Sequence, residues 1–170
     1  MDVFEKIVAV IITVFALYLA PTLNEATMHD SIIQTTVYQD AANFVDTVCT
    51  HGEITQSSYL MLINKLDDTG LLYDVSITVG HTTVVPVYGE DGSVASVKNV
   101  EVCSYTDEIL ESVYQTDGVY TLSKGDAISI VIKNRNMTIA QQLRTMVLHV
   151  PDYDSTIVVK AGGVVRDESF

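Results

Sequence analysis

Residues 3–23 read VFEKIVAVIITVFALYLAPTL, and the reading of this stretch decides the fold. From Ile7 to Ala20 there is no charge, no Gly and no Pro, and only Thr13 and Tyr18 carry polar side-chain atoms. Val3 and Phe4 extend the apolar character forward across Glu5 and Lys6. As a helix rising about 1.5 Å per residue, Val3 to Leu23 spans roughly 31 Å, close to one bilayer core. Three readings compete. A secretory signal wants a cationic front and a small-x-small cleavage site, whereas here Asp2 and Glu5 outnumber Lys6, and Tyr18-Leu19-Ala20 is a poor site. A buried helix of a soluble protein is seldom apolar on every side for so long. A membrane anchor or helix-bundle segment accounts for the stretch best, through Ile7, Val8, Val10, Ile11, Ile12, Val14, Phe15, Leu17 and Leu19.

Beyond Pro21 the pattern turns amphipathic. Leu23, Ala26, Ile33, Val37, Ala41, Phe44 and Val48 recur at three- and four-residue steps or their sums, with Glu25, Asp30, Asp40 and Asp46 between them. No Gly or second Pro interrupts before Gly52. The simplest expectation is one helix from about residue 2 to 49, kinked near Pro21, where a ring replaces an N–H donor. Asp30 breaks the apolar stripe and should be exposed or paired.

Residues 50–170 alternate short apolar runs with turn chemistry. The expected elements are a helix at 53–65, strands at 73–79, 82–88 and 94–105, and a helix at 106–115. A hairpin follows from 119–122 and 127–133 across Ser123-Lys124-Gly125-Asp126, then a helix at 138–147 and a strand at 155–160. Gly162-Gly163 reads as a turn into a short last strand or a frayed tail. Gly89-Glu90-Asp91-Gly92 signals a tight hairpin, and Pro86 should sit at an edge or a bulge. The fold class is α+β: a long hydrophobic-then-amphipathic helix (domain 1–49) followed by a small antiparallel sheet with short helices (domain 50–170).

Charge excludes more than size does. In 170 residues, Lys+Arg 9 against Asp+Glu 22 leaves a net charge of −13, so the cationic surface needed to neutralise nucleic-acid phosphates is missing. Attraction to anionic lipid head groups is disfavoured for the same reason. No metal site or cofactor is expected, because neither Cys-x-x-Cys nor clustered His exists; His29, His51, His81 and His149 are scattered. Cys49 and Cys103 could form one disulfide outside the membrane or be two small hydrophobes. Asp67/Asp68, Glu90/Asp91 and Asp152/Asp154 read as solvated loop tips, and Asn136-Met137-Thr138 matches a glycosylation sequon. Ala20-Pro21-Thr22-Leu23 with Gly125-Asp126 echoes type I signal peptidases, but Tyr18 stands where their nucleophilic Ser would be. No small-molecule substrate is evident.

Phe4, Glu5, the run Ile7–Ala20, Pro21 and the amphipathic continuation to Val48 resemble a type IV pilin or pseudopilin, including the tight-adherence and type II secretion relatives. The resemblance implies a subunit that assembles with other pilin-like copies through its first helix and resides in the membrane beforehand. It implies that Glu5 neutralises the N-terminal amine of a neighbour, borne here by Met1, and that Pro21 marks the end of the filament-core half. It also implies N-in, C-out topology with the headgroup outside the cell, and no enzymatic activity. No basic leader ending in Gly precedes Met1, which leaves Met1 open as mature first residue or initiator. The alternative is a single-span surface protein whose acidic headgroup binds another protein without polymerising.

Overall fold

The computed structural model of the chain describes residues 3–88, 94–116, 118–148 and 157–166. Helix α1 (Val3–His51) is unbroken through Pro21, about 73 Å of rod at 1.5 Å per residue. It stops at Gly52, whose φ of +69° is a left-handed turn that a side chain would oppose, and whose N–H closes on the Val48 carbonyl at 2.8 Å. The remaining elements are β1 (Glu53–Thr55), α2 (Gln56–Asp67), β2 (Tyr73–Tyr88), β3 (Val94–Tyr105), α3 (Thr106–Glu111), β4 (Val119–Thr121), β5 (Ala127–Asn134), α4 (Ile139–Leu148) and β6 (Val158–Val164). A π-helical turn, Ser112–Thr116, follows α3. The α+β expectation, long helix first and small antiparallel sheet after, is the observed architecture.

The main sheet has strand order β3-β2-β5-β6 and every neighbour is antiparallel. Its inner face carries Ile77 and Val79 from β2, Ile128, Ile130 and Ile132 from β5 and Val159 from β6. Directly paired residues share a face of the pleat, so the pairs Ile77↔Ile130 and Val79↔Ile128 form one apolar layer. The second half of α1 seats Ile33, Val37, Ala41, Phe44, Val45 and Val48 in the same core. The helical stripe expected between Ala26 and Val48 is therefore the face that α1 buries.

Three expectations need correction. First, 73–79 and 82–88 form one strand through Gly80-His81. Gly80 pairs on both sides, with Cys103 and Ala127, so it continues the ladder rather than ending it. Beyond Gly80, β2 pairs only with β3, and the two run on as a ribbon past the sheet. Pro86 lies in that edge portion, with a register shift just after it at Val87/Tyr88, as expected of a residue with no N–H. The turn at 89–92 lies outside the described residues.

Second, β4 makes no hairpin with β5. It pairs with β1, a three-residue strand in the segment read as the start of a helix, with Ile54 opposite Tyr120. Leu122 N–H donates to the Gly52 carbonyl at 2.7 Å, which fixes 119–122 beside the end of α1. Thr55 then starts α2 with a capping box: Ser58 N–H donates to Thr55 Oγ1, and Ser58 Oγ accepts from Thr55 N–H, both at 3.1 Å.

Third, β6 runs straight through Gly162-Gly163. A β-carbon at Gly162 would stand 3.1 Å from the Ile128 carbonyl oxygen. These glycines permit close packing instead of a turn. The expected start of this strand, at Ser155, lies outside the described residues.

Candidate functional site: the unpartnered half of the first helix

Helix α1 divides sharply in how it is covered. Val3 to Tyr18 is exposed on every side, and the first buried position is Ala26. Phe4 is 75 % exposed, Ile11 62 % and Phe15 64 %. Of the expected core-forming positions, Ile7, Val8, Val10, Ile11, Ile12, Val14, Phe15 and Leu17 lie bare, and only Leu19 is partly covered. Among the described residues, none of the side chains from Val3 to Tyr18 is covered by the body. This is one helix near the N-terminus long and apolar enough to cross a membrane. A contiguous apolar surface of this size is far outside what a free monomer ordinarily presents to water.

The polar atoms in this half are handled within the helix. Thr13 Oγ1 donates to the Ala9 carbonyl at 2.8 Å and Thr22 Oγ1 to the Tyr18 carbonyl at 2.9 Å. Such back-bonding removes hydroxyls from competition with solvent, which suits an apolar surrounding. Pro21 supplies no N–H, so the Leu17 carbonyl loses its ladder donor at the boundary of the bare half. Glu5 is exposed and, among the described residues, has no ion-pair partner. Met1, the other member of the implied pair, lies outside the described residues.

The two cysteines are unbonded, which corrects the disulfide alternative. Cys103 is exposed on β3, in the row Cys103–Gly80–Ala127–Val164 across the outer face of the sheet. Cys49 is buried against Gly163 on the inner face at β6, the opposite edge. Three strand spacings of about 4.8 Å and the sheet itself separate them, too far for a disulfide. Burial pushes the Cys49 thiol pKa up, a shift that Arg166 opposes and Asp46 adds to.

One cluster escaped sequence reading. His81 Nδ1 lies 2.6 Å from Asp126 Oδ2, and its Nε2 lies 2.8 Å from the Tyr120 hydroxyl. Asp126 is buried and also accepts the Ser123 N–H at 2.7 Å. Both ring nitrogens of His81 are thus engaged, and the group ties β2, β4 and the turn before β5 together. Gly125-Asp126 gave the only local sign of it, as a turn whose acid could face inward.

Elsewhere, Asn136 Oδ1 accepts the Leu72 N–H at 2.9 Å, and the wholly buried Thr138 hydroxyl donates to Asp30. Both polar ends of the sequon are therefore built into the fold, and Asp30 is paired as its position in the stripe required. A groove of about 390 Å³ between α1 and α2 is lined by Asp40, Phe44, His51, Met61 and Lys65 among others. Lys65 and Asp40 form a 3.0 Å ion pair there. Among the described residues no three metal-ligating side chains converge.

Comparison with protein-family models, with curated proteins and with solved structures returns no match for this chain.

Proposed function

We propose that the chain is a pilin-like structural subunit of a cell-surface filament or secretion pseudopilus. Before assembly it is a single-span membrane protein, N-in and C-out, with residues 50–170 as its extracytoplasmic headgroup. The observation that carries this reading is the division of α1: one continuous helix whose second half packs a stripe into the core of the body and whose first half has no partner among the described residues. A helix of that kind withdraws its apolar surface from water in two ways, into lipid or against copies of itself. Burial of several hundred Å² per subunit at about 25 cal/mol per Å² contributes several kcal/mol to each set of contacts.

Glu5 supports polymerisation over simple anchoring. A carboxylate at the edge of a hydrocarbon span is costly without an opposite charge, and the pilin resemblance supplies one in the N-terminal amine of the next subunit. Lys6, the only cation near the front, favours a cytoplasmic N-terminus weakly. The role is structural, with other pilin-like subunits as partners and no substrate, cofactor or nucleic acid.

Replacing Glu5 by Ala in the native host tests the reading. The variant should still reach the membrane but no longer enter the filament fraction sheared from the cell surface. Unchanged surface material in the Glu5→Ala strain overturns polymerisation and leaves the anchored protein-binding headgroup.

A further inference from the structure

Helix α4 is attached to α1 low on the rod, just above the bare apolar half. Thr138, immediately before α4, donates its hydroxyl to Asp30. Arg144, six residues further along, reaches Thr27 Oγ1 with Nη2 at 3.2 Å. As α4 advances six residues, its partners on α1 recede three residues toward the N-terminus, so α4 descends obliquely along the rod. The covered stripe of α1 continues down the same face, with Ala26 buried and Leu23 and Leu19 partly covered. The carboxyl end of α4 therefore lies nearer the bare half of α1 than its start does.

With Leu23 at the upper edge of the hydrocarbon, Thr27 stands about 6 Å above it and Asp30 about 10 Å, at 1.5 Å per residue. The polar interfacial layer is about 5–7 Å thick on each side of a bilayer. The Arg144–Thr27 contact thus falls inside that layer, and Met146, two residues further along α4, falls in it too. Met146 is 76 % exposed, and Ile139 and Met137 are 54 % and 49 % exposed. On the α4 side facing away from the body, Ile139 and Met146 are seven residues apart, two turns on one face.

We propose that α4 is the foot of the body on the bilayer: its carboxyl end, led by Met146, is seated in the interfacial layer, with Ile139 about 5 Å higher, at the water side. This rests on the reading of residues 3–23 as a membrane span. The occupant of the face is the lipid surface, reached by continuity with the span. The contact is apolar, because a chain of net charge −13 gains nothing from anionic head groups. A side chain such as Met inserts its flexible thioether at the boundary between acyl chains and head groups without needing a polar partner. The foot would fix the angle at which the body stands on the membrane before assembly.

The chain contains no Trp, so a single introduced indole reports its own surroundings. Full-length Met146→Trp, Ile139→Trp and Ile11→Trp proteins are placed in phosphatidylcholine nanodiscs, with and without brominated acyl chains. The proposal expects the indole at 146 to emit to the blue and to be quenched nearly as strongly as the one at 11. The indole at 139 should emit at longer wavelength with weak quenching. Water-like, unquenched emission at 146 with quenching at 11 overturns the foot while leaving the span intact. Unquenched emission at 11 removes the span itself, and the foot with it. Equal quenching at 139 and 146 contradicts the descent of α4 toward the bilayer.

Discussion

Gly163 on β6 lies directly against Cys49 on α1: a β-carbon at position 163 would stand 2.7 Å from Cys49 Sγ and 3.1 Å from Val45 Cγ1. This contact sets how closely the rod approaches the sheet, so it decides where the bare half of α1 points relative to the body. Gly163→Ala should destabilise the body by about 1–3 kcal/mol, the usual cost of overpacking a filled core. Because sulfur is the nearer obstacle, the same change in a Cys49→Ala background should cost less. Urea titration of the four full-length proteins in mild detergent gives the coupling. Equal costs in both backgrounds would refute the contact.

The thiols should behave as opposites. Exposed Cys103 should react with a thiol reagent in the native state at neutral pH, and buried Cys49, with its raised pKa, only on unfolding. Oxidation should produce no bond within the chain, and Cys103→Ser should abolish native labelling. Two fast thiols, or an intramolecular disulfide recovered by mass spectrometry, would contradict the placement of these residues on opposite faces of the sheet.

Thr138→Val removes the hydroxyl that Asp30 accepts and leaves the carboxylate half-buried, its Oδ1 already without a partner among the described residues. Hydrogen bonds to charged groups contribute about 1.5–3 kcal/mol. The loss should be at least that, because the Thr138 Oγ1 acceptor for the Gln141 N–H at the start of α4 goes too. Asp30→Asn, which lowers the penalty for an unpaired oxygen, should recover part of it. The expected readout is loss of hydrogen-exchange protection in α4 before the sheet is affected.

Stability should fall on the alkaline side. Burial raises the pKa of Tyr73 and Tyr59 above the ordinary 10.0 and that of Cys49 above 9.0. The folded chain therefore holds these protons more tightly than the unfolded one. Each group's contribution is intact below its unfolded pKa and is lost as pH rises from there through the folded pKa. Unfolding free energy should be flat near pH 8 and decline from about pH 9 upward. Tyr59→Phe should reduce the slope above pH 10, and an unchanged slope would exclude Tyr59 as a source.

The rod was legible because a helix announces its period locally: Val37, Ala41, Phe44 and Val48 are enough to name the buried face, and Ile7 to Ala20 enough to mark the bare one. Pairing across distance was not legible. β1 and β4 are three residues each and lie about 65 positions apart, so neither carries a usable alternation. Gly80-His81 read as a break because glycine is a poor strand former; the ladder from β3 and β5 overrides that preference. His81, Asp126 and Tyr120 come from three elements, and only the fold brings them within hydrogen-bond reach. Gly162-Gly163 misled for the opposite reason: a glycine pair suggests a turn, yet here the missing side chains admit Cys49 and the backbone of β5.

The most direct test of the central claim is mass spectrometry of material sheared from the surface of the native host, including the first residue of the recovered chain. The account predicts that the chain is present in a polymeric fraction, with a processed, N-methylated residue four positions before Glu5. Recovery from the membrane fraction alone, as a monomer with an unprocessed initiator Met, would contradict it.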